Sequence, residues 1–462
     1  MNTDQEKKVL ASLYDRLFQA VTYSPNAGAA IYDPSKIHFQ MGKNEVLSNL
    51  DFQNAFSPLN PGGSLVAANA FSTMVDRLPT PGELWADSKV RLSAFCRDVL
   101  AQAVTNAQPS AEQQRMYEAA FGFLNVVKKE EPAPWDPPGT KEKESVGPSA
   151  VTMAYRKAQS AYAKAIYDYG NAYIDYDLTK REDQRKWNAQ APLLQNMVDQ
   201  AWDAWESAGK ARVESAQNAL ASTINNAISH AIGQLRKAVA ATQAGLGTTP
   251  TPWLLSYALP SDWASSTCSG TKLTLKSGSL DKQTSKSSHE YAASAQFQWG
   301  LWHASGGSEG NFQNGRIETK ADSFELEAEL ISVSINRDWF NPLLLTMSDW
   351  SVEGYKENGI SDGKGGGKVP LIPSAFVVAR NVKVKADFSA EEKSFAERVI
   401  KANASGGWGP FGLSTSYGNT DSQGRETATF EGGTLSFPGM QVVAWISTPT
   451  PASPPLARAS GG

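Results

Sequence analysis

The chain has 462 residues, of which 41% are hydrophobic and 19% charged. That is enough apolar material for roughly two to four packed units, and it excludes a disordered chain. A formal net charge of -4 leaves no basic field to hold a nucleic-acid backbone, so nucleic acid is excluded as a partner.

The two cysteines, Cys96 and Cys268, are too far apart for a CxxC site and read as buried free thiols. The N-terminus opens Met-Asn-Thr-Asp-Gln-Glu-Lys-Lys, with no apolar core segment and no small-residue cleavage site. The chain is therefore expected to be cytoplasmic as synthesised, with any release by a route that uses no N-terminal Sec signal. No apolar run reaches the ~18 residues of a spanning helix.

Residues 1–129 read as an irregular helical region. Leu10, Leu13, Leu17 and Val21 fall on one face at helical spacing, and Ser24-Pro25-Asn26 stops that helix. Residues 25–64, interrupted by Pro34, Pro58, Pro61 and Gly62-Gly63, read as irregular. A helix is expected over 65–77, and another from Glu83 to Ala107 anchored by Leu84, Val90, Leu92, Phe95 and Val99. Ser110 stands where an N-cap would start a helix running to Lys128. Residues 130–149, with Pro132, Pro134, Pro137 and Pro138, read as a proline-rich linker or surface excursion.

Residues 150–247 carry the clearest periodicity. Tyr155, Tyr162, Ile166, Tyr169, Tyr173 and Tyr176 recur at steps of three, four and seven, which keeps one side of a helix toward a partner. The stripe continues beyond Pro192 through Met197, Ala201, Trp205, Val213 and Leu220. A long bent helix or a helical hairpin of coiled-coil type would both satisfy it. The charged run Lys180–Asp183 and the neighbouring Pro192 favour a hairpin turning near 180–192. The tyrosines read as the helix seam, with an aromatic platform for a ligand, lipid headgroup or glycan as the alternative.

Residues 248–447 switch to period two and are dense in glycine turns, which predicts an antiparallel β-sandwich or barrel-like domain. Strands are expected at Lys272–Lys276, Ala292–Trp302, Phe376–Val384, Thr427–Phe430 and Met440–Ile446. The run Asp322–Asn336 is two-sided. Phe324, Leu326, Ala328 and Leu330 are apolar on one parity, then Ile331, Val333 and Ile335 on the other. This calls for a bulge near 330–331, a change of sheet, or cover on both faces. Residues 448–462 read as a disordered tail. The fold class is thus α+β: a mainly helical N-terminal region with a long central helical hairpin, followed by the β-domain.

Chemistry is sparse. Glu325, Glu327 and Glu329 share one strand face; they read as a solvated row, with a Ca²⁺ site or a catalytic acid pair as the alternatives. The four histidines form no HExxH, and His289 with His303 is a weak acid–base or metal pair. Gly359–Lys368 fails the Walker spacing and reads as a flexible loop. Gly406-Gly407 and Gly409 flank Trp408 and Phe411, which are the candidate ligand or membrane contact, with a plug over the sandwich as the other reading. No catalytic residue and no cofactor is implied. The function expected is that of a non-enzymatic structural or assembly protein, with self-association or a protein partner. The alternatives are a soluble pore-forming toxin-like protein acting on a lipid membrane, and an enzyme or glycan-binding protein with a site in the β-domain.

Overall fold

The structure is a computed structural model that describes residues 3–22, 32–105, 111–130, 143–176, 180–222, 224–240, 253–277, 286–298, 300–305, 315–317, 323–346, 350–401, 405–413, 428–437 and 439–454. Several expectations fall wholly or partly outside them: the Ser24-Pro25-Asn26 stop, the end of the 83–107 helix, the Ser110 cap, the linker's middle at 131–142, residues 241–247, Trp299, Thr427, and the tail beyond Pro454.

In chain order come α1 (Thr3–Thr22), β1 (His38–Leu47), α2 (Leu65–Val75), β2 (Arg77–Pro79), β3 (Asp87–Arg91), α3 (Leu92–Asp98), β4 (Val104–Thr105) and α4 (Ala111–Leu124). An antiparallel pair, β5 (Asn125–Glu130) and β6 (Lys143–Pro148), precedes four helices: α5 (Ala150–Asp175), α6 (Arg181–Ser207), α7 (Lys210–Ser222) and α8 (Ile224–Ala240). The remainder holds β7 (Tyr257–Leu259), β8 (Thr271–Lys276), α9 (Lys286–Gln298), β9 (Trp302–Ser305), β10 (Gly315–Ile317), β11 (Phe324–Asn336), β12 (Trp350–Ser351) and β13 (Leu371–Ala386). It closes with α10 (Ala390–Lys401), β14 (Ser405–Trp408), β15 (Phe411–Gly412), β16 (Thr429–Glu431), β17 (Thr434–Ser436) and β18 (Met440–Pro449). The chain is a mixed helix-and-sheet protein with several helices around one large antiparallel sheet.

That sheet runs β1-β18-β13-β11, with β7 and β8 both on the outer side of β11 and β17 on β13. Each of its faces carries a core over part of its length, which answers the parity reversal in β11. Phe324, Leu326, Ala328 and Leu330 enter one core with α1, α9 and α10. Ile331 and Val333 enter another, on the opposite face, with Phe71, Trp263 and Trp445. Side chains simply alternate between two covered faces. No bulge is needed at 330–331, where Leu330 and Ile331 pair in step with Ala379 and Val378. The irregularity lies on the partner strand instead. Glu327 faces Lys383 and Glu329 faces Arg380, so β13 carries one extra residue, and Asn381 takes φ +54 to absorb it.

Several expectations are corrected. β1 occupies part of the stretch expected to be irregular, pairing with β18 some 400 positions along the chain. Gly42 there has no room for a side chain, because a Cβ would collide with the Val442 carbonyl. The helix expected over 83–107 is broken up: β2 and β3 form a ribbon, and only α3 and a short 3-10 helix, Leu100–Gln102, are helical before β4. Residues at both ends of the 130–149 linker are strand, in β5 and β6. The tail is not disordered over 448–454. Ser453 and Ser361 exchange backbone hydrogen bonds at 2.8 and 3.0 Å, and the Thr450 N–H donates to Pro370. Those contacts also order Gly359–Lys368, where the Asp362 carboxylate accepts from the Lys364 and Gly366 N–H groups.

Among the helices, α5 and α6 pack antiparallel. Tyr155 and Tyr162 meet Trp205, whereas Tyr169 and Tyr173 meet Trp187 at the other end. The chain reverses before residue 181, so Pro192, expected beside the turn, sits inside α6. Gly209, at φ +90, separates α6 from α7. The stretch from 193 to 242 is therefore not one rod.

Candidate functional site

Two long connections leave the large sheet at the same end. Lys276, the last residue of β8, pairs with Glu325 near the start of β11, so residues 277–323 link the two. Phe324 also pairs with Ala386, the last residue of β13, so residues 387–428 depart from the neighbouring strand. The described parts of the two segments pair with each other. β9 of the first joins β14 of the second, with Trp302 opposite Trp408 and His303 opposite Gly407. Together with β10 and β15 they form a separate four-stranded sheet.

The helices of these segments cover one face of the large sheet. α9 contributes Tyr291, Ala292 and Ala295, and α10 contributes Phe395, Ala396 and Val399, to the core formed with Leu326 and Val377. α9 contradicts the sequence pattern. Ala293, Ala295, Phe297, Trp299 and Leu301 alternate as in a strand, yet Lys286–Gln298 is helical. The buried positions that define the helix, 291, 292 and 295, follow the other period. They pack under α1, where Tyr14 lies 5.4 Å from Tyr291. The second segment has a strand period too: Phe411, Leu413, Thr415 and Tyr417 alternate with Gly412, Ser414, Ser416 and Gly418.

A capping box ties the two segments together. The Ser389 hydroxyl accepts the Glu392 N–H at 3.2 Å, and Glu392 Oε2 accepts the Ser389 N–H at 2.9 Å. Glu392 is fully buried, and its other oxygen accepts the Trp302 indole N–H at 3.0 Å. Sequence reasoning missed Glu392, although Ser389-Ala-Glu-Glu392 is a legible capping signature.

His303 stands between the segments. Burial pushes its imidazole well below the ordinary histidine range, and the Lys43 ammonium adds to the push. The folded protein thus holds it neutral while the unfolded chain takes up a proton. Stability from this residue is complete above pH ~6.5 and is lost as pH falls, by about 1.4 kcal/mol per pH unit until the folded value is reached. His303→Gln should move the acid midpoint of the near-ultraviolet circular dichroism of the tryptophans to lower pH. An unmoved midpoint would remove His303 as the source of acid sensitivity.

The residues expected from the sequence lie elsewhere or play other parts. Glu325, Glu327 and Glu329 are not a bare row. Lys276 reaches Glu325 at 2.9 Å, Lys385 reaches Glu327 at 3.6 Å and Arg380 reaches Glu329 at 2.8 Å. Cations on the two flanking strands thus face the carboxylates, which stay part-exposed, so the row is solvated and also has basic neighbours. Trp408 and Phe411 are 2% and 1% exposed, so they are core and not a contact surface. Tyr155, Tyr162 and Ile166 are buried in the helical core. Tyr169 and Tyr176 are half-buried, and Tyr173 is 40% exposed. His289 is exposed and His303 buried.

Among the described residues no cluster of three or more His, Cys, Asp or Glu side chains could hold a metal ion. No helix among them is long and apolar enough to cross a membrane. No protein-family model matches the chain, and neither a curated protein nor a solved structure matches it.

Proposed function

We propose that this is a non-enzymatic, self-assembling protein of the soluble pore-forming kind. In this reading segments 277–323 and 387–428 leave the sheet face and open as β-hairpins that prolong β8, β11 and β13 into a lipid bilayer. The observation that carries it is the placement of both segments at one end of an antiparallel ladder whose register is already set, with α9 holding a strand-period sequence in helical form. Such a conflict between local pattern and adopted structure is local frustration, which in this reading is relieved when the segment pairs as strand.

Length and polarity support the reading. Each segment spans roughly 40–50 residues, whereas two tilted membrane-crossing strands need ~20. Alternation of apolar with small polar residues suits strands with one lipid face and one aqueous face. Backbone groups in lipid must be satisfied by a closed barrel, so insertion by one copy is not enough and self-association is required. The α5–α6 pair is then a helical hairpin of coiled-coil type that acts as a spacer, and the remainder is a sandwich-like β-domain from which the hairpins are released. The partners are further copies of the chain and a membrane.

A cross-strand staple tests this. Ser305 and Ser405 are paired between β9 and β14, and antiparallel partners lie ~4.5–5.5 Å apart at Cα, within disulfide reach. The native Cys96 and Cys268 are buried free thiols. Wild type should release dye trapped in anionic phospholipid vesicles. The oxidised Ser305→Cys/Ser405→Cys protein should release none, and dithiothreitol should restore release. Release by the oxidised protein at the wild-type rate, or none by wild type at pH 7 or 5, would defeat the proposal.

A further inference from the structure

At the opposite end of the sheet from these segments, a cleft of about 170 Å³ separates α5 from β7, β11 and β13. Its helix wall is built by Arg156, Gln159, Ser160 and Ala163, one face at steps of three and four. Its sheet wall includes Ser334 and Asn336, alternate residues of β11. They continue the parity of Phe324–Leu330, so the face that is apolar at one end of β11 turns polar at the other. Ser334 and Asn336 are half-buried there, and any polar atom of such a face that loses water needs another partner.

We infer that this cleft is a binding site for a single neutral sugar ring or similar small polyol. Charge argues for neutrality. Arg156 Nη1 donates to Asp338 at 2.7 Å and also to the Tyr257 hydroxyl, so its charge is matched by a carboxylate outside the cleft lining and little field is left for an anion. Hydrogen bonding argues for hydroxyl groups. The Asn336 Nδ2 atom is buried without a partner, and Gln159 and Ser160 add an amide and a hydroxyl to the lining of the same cleft. Each amide offers both a donor and an acceptor, which a sugar hydroxyl can match with both of its own functions. The Tyr32 hydroxyl and Ser334, 3.2 Å apart, add two more hydroxyls to the lining. Leu259 and Ala163 supply an apolar patch for the C–H face of a ring. Size argues for one ring, since drug-sized ligands occupy ~300–1,000 Å³.

The test is saturation-transfer NMR on the full chain with D-glucose, D-galactose, D-mannose and N-acetylglucosamine, each at millimolar concentration, without lipid. At least one sugar should show transfer to its ring protons. The signal should fall at least fivefold in Ser160→Leu and Ala163→Leu, which fill the cleft. If either variant melts below wild type, Gln159→Ala and Asn336→Ala, which only delete polar atoms, take its place. Three results would overturn the inference. They are no transfer from any of the four sugars, transfer unchanged in a variant that melts as wild type does, and cleft-dependent broadening of inorganic phosphate in place of sugar. Because no vesicle is present, the outcome is separate from that of the leakage experiment.

Discussion

Arg380→Ala should destabilise the protein by about 3 kcal/mol at pH 7, read as a shift of the urea midpoint with unchanged slope. The guanidinium is 12% exposed and Glu329 is 23% exposed, and the two meet through bonds of 2.9 and 2.8 Å. Arg380 also donates to the carbonyls of Ser265 and Cys268. Glu329 in turn accepts the Gly270 N–H at 2.7 Å. One side chain thus fastens the loop before β8 to the bulged part of β13. Removing it strands a largely buried carboxylate and two carbonyl oxygens, which costs more than the pair itself is worth.

The same variant has a pH signature. The Arg380 guanidinium holds the Glu329 carboxyl down to about 2, against burial, which pushes it up. A carboxyl depressed in the folded state adds stability that is present above its unfolded value near 4.5 and is lost as pH falls toward 2. Wild type should therefore lose on the order of 2–3 kcal/mol from this residue across that window, and Arg380→Ala should lose much less. Equal loss in both proteins, or a midpoint at pH 7 within ~0.5 kcal/mol of wild type, would show that the network carries no stability.

Trp408→Ala should cost about 3–5 kcal/mol, the range for deleting a large buried aromatic. The indole lies edge-on to Phe324 with ring centres 5.7 Å apart, and its strand pairs with β9. The loss falls where segments 277–323 and 387–428 meet each other and the large sheet. Under the proposed insertion, vesicle release should then begin at lower protein concentration, because the stored segments are held less tightly. Trp408→Phe keeps most of the apolar surface and should lie between the two. A Trp408→Ala protein with wild-type stability would contradict the burial.

The tyrosine stripe, the two-sided β11 and the strands around Val377, Leu273 and Val443 were all legible in the sequence. Their signal is local: a helix repeats every 3.6 residues and a strand every two, so a buried face prints itself on neighbouring positions. What only the tertiary structure decided depends on residues far apart in the chain. β1 exists because β18 offers an edge to it, and its polar interruption at Lys43-Asn44 hides the strand. The glutamates find cations on β8 and β13, which no spacing within β11 could reveal. The glycines around Trp408 suggested a protruding turn, yet Gly406 serves close packing: a Cβ there would lie 2.9 Å from the His303 carbonyl oxygen. In α9 local pattern and tertiary packing disagree outright, and packing beneath α1 prevails in the folded chain, because burying Tyr291 and Ala295 outweighs a strand period with no neighbouring strand to pair with.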